Sequence, residues 1–158
     1  MVEQKRTKET HMHERTATIA AHLNRSIMGG TLPTHEIDQL PKKPVADRIL
    51  VGNVRAPCRN VDAIRIYCGR KNDSWGLAQS PLANPNPLNG EAHRAQNIAD
   101  YRPYLRNPKN TIVQAEVQRV LEWLRSGQTV ELLCWCAPAK ACHCDEVRRY
   151  LIELWEAR

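Results

Sequence analysis

The apolar positions of this chain switch between two periods, and the switches mark its elements. Residues 48–54 hold a short apolar run, which predicts a buried strand. In residues 63–68, Ile64, Ile66 and Cys68 alternate with Arg65 and Tyr67, the pattern of a strand with two different faces. Helical spacing takes over in residues 91–105, where Ala95, Ile98, Tyr101 and Leu105 share one side. Pro103 is expected to kink or end that helix near Arg102, because it lacks an N–H and clashes with the preceding turn. The clearest helix is residues 111–126, with Val113, Val117, Val120, Leu121 and Leu124 on one face. Thr111 with Gln114 fits a capping box, and Gly127 fits the position just past the end. Residues 129–135 predict a third strand, with Leu132-Leu133 as a continuous apolar centre covered on both faces. The last helix is predicted over residues 144–156, with Val147, Tyr150, Leu151, Leu154 and Trp155 inward.

The order strand, strand, helix, helix, strand, helix predicts an α/β domain, small and Rossmann-like, with a largely parallel sheet and flanking helices. Its boundary is placed at residue 47, giving a domain over 47–158. Residues 1–46 read as a flexible extension. Within it, Ile19, Leu23 and Ile27 mark a short amphipathic helix over residues 16–28, ended by Gly29-Gly30. Pro33, Pro41 and Pro44 mark a linker. So short a helix is marginal alone, so a protein partner or the body is expected to receive it. Between the second strand and the first helix of the domain lie some 20 residues containing Pro81, Pro85 and Pro87. A loop that long inside a compact domain points to function.

Charge sharpens this. The net charge is +6. Residues 49–110 carry 9 basic and 4 acidic side chains (+5), whereas residues 111–158 carry 6 and 7 (−1). The basic excess lies in the loop-rich middle, where an anion would be held. No DNA- or RNA-binding motif is recognisable, which leaves nucleic acid open as a partner without predicting it. No apolar run reaches about 18 residues, so no membrane span is predicted. The charged start shows no secretory pattern, and the 6 cysteines then point to a reducing compartment, the cytoplasm.

Four of those cysteines fall in residues 134–145, at the junction of the third strand and the last helix. Three chemistries fit. Cys134, Cys136, Cys142 and His143 offer thiolate and imidazole ligands for zinc. Their spacing departs from Cys-x2-Cys, and in a helix Cys142 and Cys144 would point about 200° apart, so convergence requires irregular backbone. Alternatively, Cys142 and His143 form a catalytic pair, the thiol lowered by the helix start. His93 is a more distant candidate base. Finally, the turn can bind a phosphate or carboxylate through helix N–H groups. Ligands in such sheets sit beyond the carboxyl ends of the strands. There Arg70, Trp75, Asn84 and Trp135 are the candidate binding residues. Cys68 is read as packing in the strand, and Cys58 has no assigned role.

The sequence of Tyr67-Cys68-Gly69-Arg70, Ser80-Pro81-Leu82-Ala83-Asn84-Pro85, the helix 101–105, and Cys134-Trp135-Cys136-Ala137-Pro138 with Cys142-His143 resembles an uncharacterised domain family of bacteria and their phages. That family carries a Tyr-Ile-Gly-Arg strand end, a Ser-Pro-Leu-Gly-Asn-Pro-Phe loop, a Tyr-x-x-Trp-Leu helix and a Cys-Trp-Cys-Ala-Pro…Cys-His-Gly-Asp terminus. The resemblance covers residues 63–155. Here Cys68, Ala83, Asn86, Tyr104 and Cys144 depart from the family residue, and Cys144, in place of glycine, is left out of the expected site. The resemblance implies a small α/β domain and no particular reaction. The leading expectation is a pocket for a nucleotide-like or other anionic ligand; the alternative is a zinc-stabilised protein-interaction module.

Overall fold

The computed structural model describes residues 43–58 and 60–157. The helix expected over residues 16–28 lies outside them. A four-residue helix, α1 (Val45–Arg48), leads into β1 (Ile49–Asn53). β2 (Ile64–Tyr67) follows, then two 3-10 turns, Asp73–Trp75 and Glu91–His93. The rest is α2 (Arg94–Arg106), α3 (Thr111–Arg125), β3 (Val130–Cys134) and α4 (His143–Glu156). The sheet has three strands in the order β1-β3-β2, all parallel. The last strand in sequence is therefore the middle one in space.

Register explains which residues form the core. Val130 lies opposite Ile49 and Ile64, and Leu132 opposite Val51 and Ile66. Side chains alternate across a strand, so these share one face, and they join Tyr101, Leu105, Val117, Leu121 and Leu151 of the helices in one core. Burying each large aliphatic side chain here contributes about 1.5–3 kcal/mol before entropy is counted.

The opposite face carries Arg65, Tyr67, Glu131, Leu133 and Trp135. β1 and β2 flank β3 in parallel, so the chain between them returns across β3. It meets this face at Ala56, whose carbonyl accepts from Arg65 at 2.8 Å, while Arg65 also donates to the buried Glu131 carboxylate at 3.1 Å.

Two local features differ from expectation. α2 does not end near Arg102 but runs through Pro103 to Arg106. Tyr101 and Leu105 are fully buried on either side of the proline, and Arg102 grips Glu146 bidentately at 2.9 and 3.0 Å. These anchors outweigh the roughly 3 kcal/mol a helical proline costs. The capping box at Thr111 does not form; Asn110 is the N-cap, and the Gln114 amide donates to Leu105 O at 2.8 Å instead. Gly127 does take the left-handed conformation past the end of α3, with φ 86° and its N–H on Leu124 O at 3.1 Å.

Candidate functional site

The carboxyl ends of β2 and β3 open onto one cavity of about 240 Å³. Its walls come from three places: Gly69 and Arg70 after β2, Asn84, Asn86 and Leu88 of the long loop with Arg94, Asn97 and Ile98 of α2, and Cys134, Trp135, Cys136 and His143. Small volume follows from how tightly the loop is held. Leu82 and Ala83 are buried, Ser80 N–H donates to Gly69 O at 3.1 Å, and the buried Tyr101 hydroxyl donates to Leu82 O at 2.7 Å. At Gly69 a Cβ would meet the Tyr67 hydroxyl at 2.3 Å, so only glycine allows that ring to lie across the strand end. The Tyr67 hydroxyl donates to Arg70 O at 2.6 Å and accepts from Trp135 Nε1 at 2.9 Å.

Arg70 lines the cavity and is exposed, and its guanidinium has no hydrogen-bond partner among the described residues. Trp135 lines it too. Trp75 is half-exposed and stands outside the lining, edge-on to Trp135 with centroids 5.3 Å apart, and the Arg55 guanidinium lies 5.0 Å from the Trp135 centroid. Asn84 lines the cavity, but its amide donates to Asn97 O and Oδ1 at 3.2 and 2.7 Å and accepts from Asn86 N–H at 2.9 Å. Its side chain shapes the loop more than it reaches the void. Three N–H groups at the start of α4 have partners, Asp145 N–H donating to Cys142 O at 3.0 Å. Cys144 N–H donates to Cys142 Sγ at 3.4 Å, and Cys142 N–H donates to the Asp145 carboxylate at 3.0 Å. These caps occupy donors that an anion at the helix start would otherwise use. His93 sits on an exposed 3-10 turn, bonded to Asn89 O at 2.8 Å, away from the cysteines.

Beneath the cavity lies a buried Cys/His group. The ligand atoms of Cys134, Cys142, His143 and Cys144 all fall within 4.8 Å of one another. His143 Nδ1 is 3.8 Å from both Cys134 Sγ and Cys142 Sγ, and Cys136 Sγ is 3.4 Å from Cys134 Sγ. The other imidazole nitrogen, Nε2, lies 2.7 Å from Cys68 O. Cys68 is packing, as expected, and contributes its carbonyl. Cys58 lies elsewhere, with its thiol on Asn60 O at 2.7 Å. Such a group could hold a metal ion.

Cys144 corrects the sequence reading. The helical-wheel argument set it against Cys142, but Cys142 is the N-cap, with φ −136° and ψ 149°. Extended backbone there turns its thiol back toward the helix, and the two sulfurs share one site.

Without metal the group is strongly polarised. Hydrogen bonds from Cys136, Cys142 and Cys144 hold the Cys134 thiol far below the ordinary thiol range. The thiolate at Cys134 in turn pushes Cys136 up. Cys134 also works against ionisation of Cys142, but Cys136 and Cys144 outweigh it and bring Cys142 down to about 6. Burial disfavours the His143 imidazolium, yet the Cys134 and Cys142 thiols raise it to about 11.

Six of the residues expected from the sequence lie together along this cavity: Arg70, Asn84, Cys134, Trp135, Cys136 and His143. The sequence reading missed Arg94 and Asn97, which carry no motif and face the cavity only because α2 begins where it does. Arg94 is not a free cation, because Glu91 holds it bidentately at 2.6 and 2.9 Å.

A family model described as "Domain of unknown function (DUF4326)" matches residues 53–153. No curated protein and no solved structure matches the chain.

Proposed function

The chain belongs to that family of unknown function, and from this premise we propose that it is a small bacterial or phage domain that binds a nucleotide-like or other anionic ligand. One observation carries the reading: the exposed Arg70 and the Trp135 ring line the same cavity at the carboxyl ends of two parallel strands. Arg70 supplies the fork-shaped donor for a phosphate or carboxylate. Trp135, packed against Arg55 and Trp75, adds an apolar aromatic wall. A cavity of about 240 Å³ is below the usual range for a whole drug-sized ligand, so it takes one part of the molecule and leaves the rest outside. Isothermal titration with nucleoside phosphates, the parent nucleosides and inorganic phosphate tests this. A phosphorylated ligand is expected to bind, with Arg70→Ala weakening it about 10- to 100-fold. Absence of binding by all three classes, with Arg70→Ala equal to wild type in thermal stability under each, overturns it.

A second reading, a zinc-stabilised interaction module, is favoured by the buried Cys/His group and the Cys68 carbonyl behind His143. Residues 1–46 would then meet a protein partner. About one zinc per chain, with unfolding on chelation, supports it; metal-free protein with unchanged stability refutes it.

A further inference from the structure

The chain brings five thiol and imidazole donors to one place, and a closed tetrahedral site uses four. We propose that Cys134, Cys142, His143 and Cys144 are the ligands of a zinc-type ion, and that Cys136 is left outside as a free thiol facing the cavity. This inference rests on the zinc reading above and is independent of the anion reading.

Geometry makes the division. A tetrahedron with bonds of 2.0–2.3 Å has edges of about 3.3–3.8 Å. His143 Nδ1 stands 3.8 Å from Cys134 Sγ and from Cys142 Sγ, at the long end of that range. Cys144 Sγ lies within 4.8 Å of all three partners, so closing on an ion requires only a small inward movement. Cys136 Sγ, although 3.4 Å from Cys134 Sγ, is not in the set of ligand atoms that all lie within 4.8 Å of one another.

Burial agrees with the division. Cys134, Cys142 and Cys144 are 6%, 1% and 0% exposed, and His143 is 9% exposed. Cys136 is half-buried and lines the cavity. The backbone supports Cys142 and Cys144 together, since the extended N-cap aims both sulfurs the same way. His143 also has what a ligating imidazole needs. An acceptor, Cys68 O, stands 2.7 Å from Nε2, which fixes the proton there and leaves the Nδ1 lone pair toward the thiols.

The test uses the full-length chain, purified reduced and loaded with zinc or cobalt(II). Wild type is expected to take about one ion per chain, with the visible bands of tetrahedral cobalt and a sulfur-to-cobalt charge-transfer band. Cys136→Ser is expected to leave that band and the metal affinity unchanged. Cys144→Ser, checked for folding by circular dichroism, is expected to lose about a third of the band, one thiolate of three, and to bind about tenfold more weakly or worse. Iodoacetamide labelling of metal-loaded wild type supplies a readout that needs no variant. Cys136 is expected to react while Cys134, Cys142 and Cys144 are protected until the ion is removed. Loss of the band in Cys136→Ser with its retention in Cys144→Ser, or protection of Cys136 by metal, overturns the division and leaves the zinc reading standing. A wild-type chain that binds neither ion overturns both.

Discussion

Tyr101→Phe isolates the contact that holds the cavity loop. The ring is fully buried between Tyr104 and His143, edge-on to the imidazole with centroids 5.3 Å apart. Phenylalanine keeps that packing and removes one atom, the hydroxyl that donates to Leu82 O at 2.7 Å. Burial, helped by the nearby Cys68 thiol, pushes the phenol's ionisation far above its usual value, so it is a donor at any working pH. Leu82 is itself fully buried, so its carbonyl is left without a donor or water. An unsatisfied buried acceptor costs about 1–3 kcal/mol, and the net loss is expected in that range. Tyr101→Leu loses in addition the edge-to-face contact with His143, about 0.5–1.5 kcal/mol more. Urea unfolding followed by tryptophan fluorescence measures both, with an unchanged slope showing that the exposed surface is the same. Hydrogen exchange at Ala83, whose N–H bonds Ser80 O at 3.1 Å, reads the loop directly and should quicken in both variants. A Tyr101→Phe protein within about 0.5 kcal/mol of wild type, with Ala83 protected as before, refutes the idea that this hydroxyl holds the loop.

Two other predictions follow from charges. The Glu131 carboxylate is buried on the central strand and its partner Arg65 is one-third exposed, so removing them is asymmetric. Arg65→Met strands a buried carboxylate and is expected to cost about 2–3 kcal/mol, discounted because Arg65 meets solvent, whereas Arg65→Met with Glu131→Met together is near neutral; equal costs for the single and double variants in urea unfolding would contradict this. Glu146 is held below its ordinary value of 4.5, chiefly by its hydrogen bonds from Arg102 and despite its burial. A lowered carboxylate stabilises the fold above its unfolded value, and that contribution disappears as pH falls through the folded value. Thermal unfolding from pH 6 to pH 3 should therefore show a stability loss below about pH 4.5 that Glu146→Gln reduces, and an identical acid limb in the variant would exclude Glu146 as its source.

The elements were legible because each announces itself locally. Val113 to Leu124 repeat at helical spacing whatever surrounds them, and Ile64, Ile66 and Cys68 alternate. Strand order was not legible, because it depends on pairing between segments that share no local signal. Nothing in residues 54–63 shows that they bridge across β3, and that crossing is what puts β3 in the middle. Pro103 does not end its helix for a related reason: its cost is local, while the contacts that outweigh it come from the loop, the core and Glu146. The site was partly legible. Arg70 and Trp135 could be placed at strand ends from the strands alone. Asn84 could be placed at the cavity too, but whether its amide was free depended on Asn97, which only the fold brings beside it.

Cys144 shows where such reasoning needs a finer rule. Two residues inside a helix are tied to the 3.6-residue period, and at a separation of two they point apart. One position outside, the backbone is released from that period while its side chain still lies against the first turn, which is why N-cap side chains reach the second and third N–H groups. Cys142 uses this geometry to accept from Cys144 N–H, and the same bend that brings its sulfur to the backbone brings it to the Cys144 thiol. A Cys-x-Cys pair straddling a helix start is therefore a convergent pair, while the same pair one residue further in is not. In this chain the difference decides whether the fourth donor of the buried group comes from Cys136, which also faces the cavity, or from Cys144, which frees Cys136 for it.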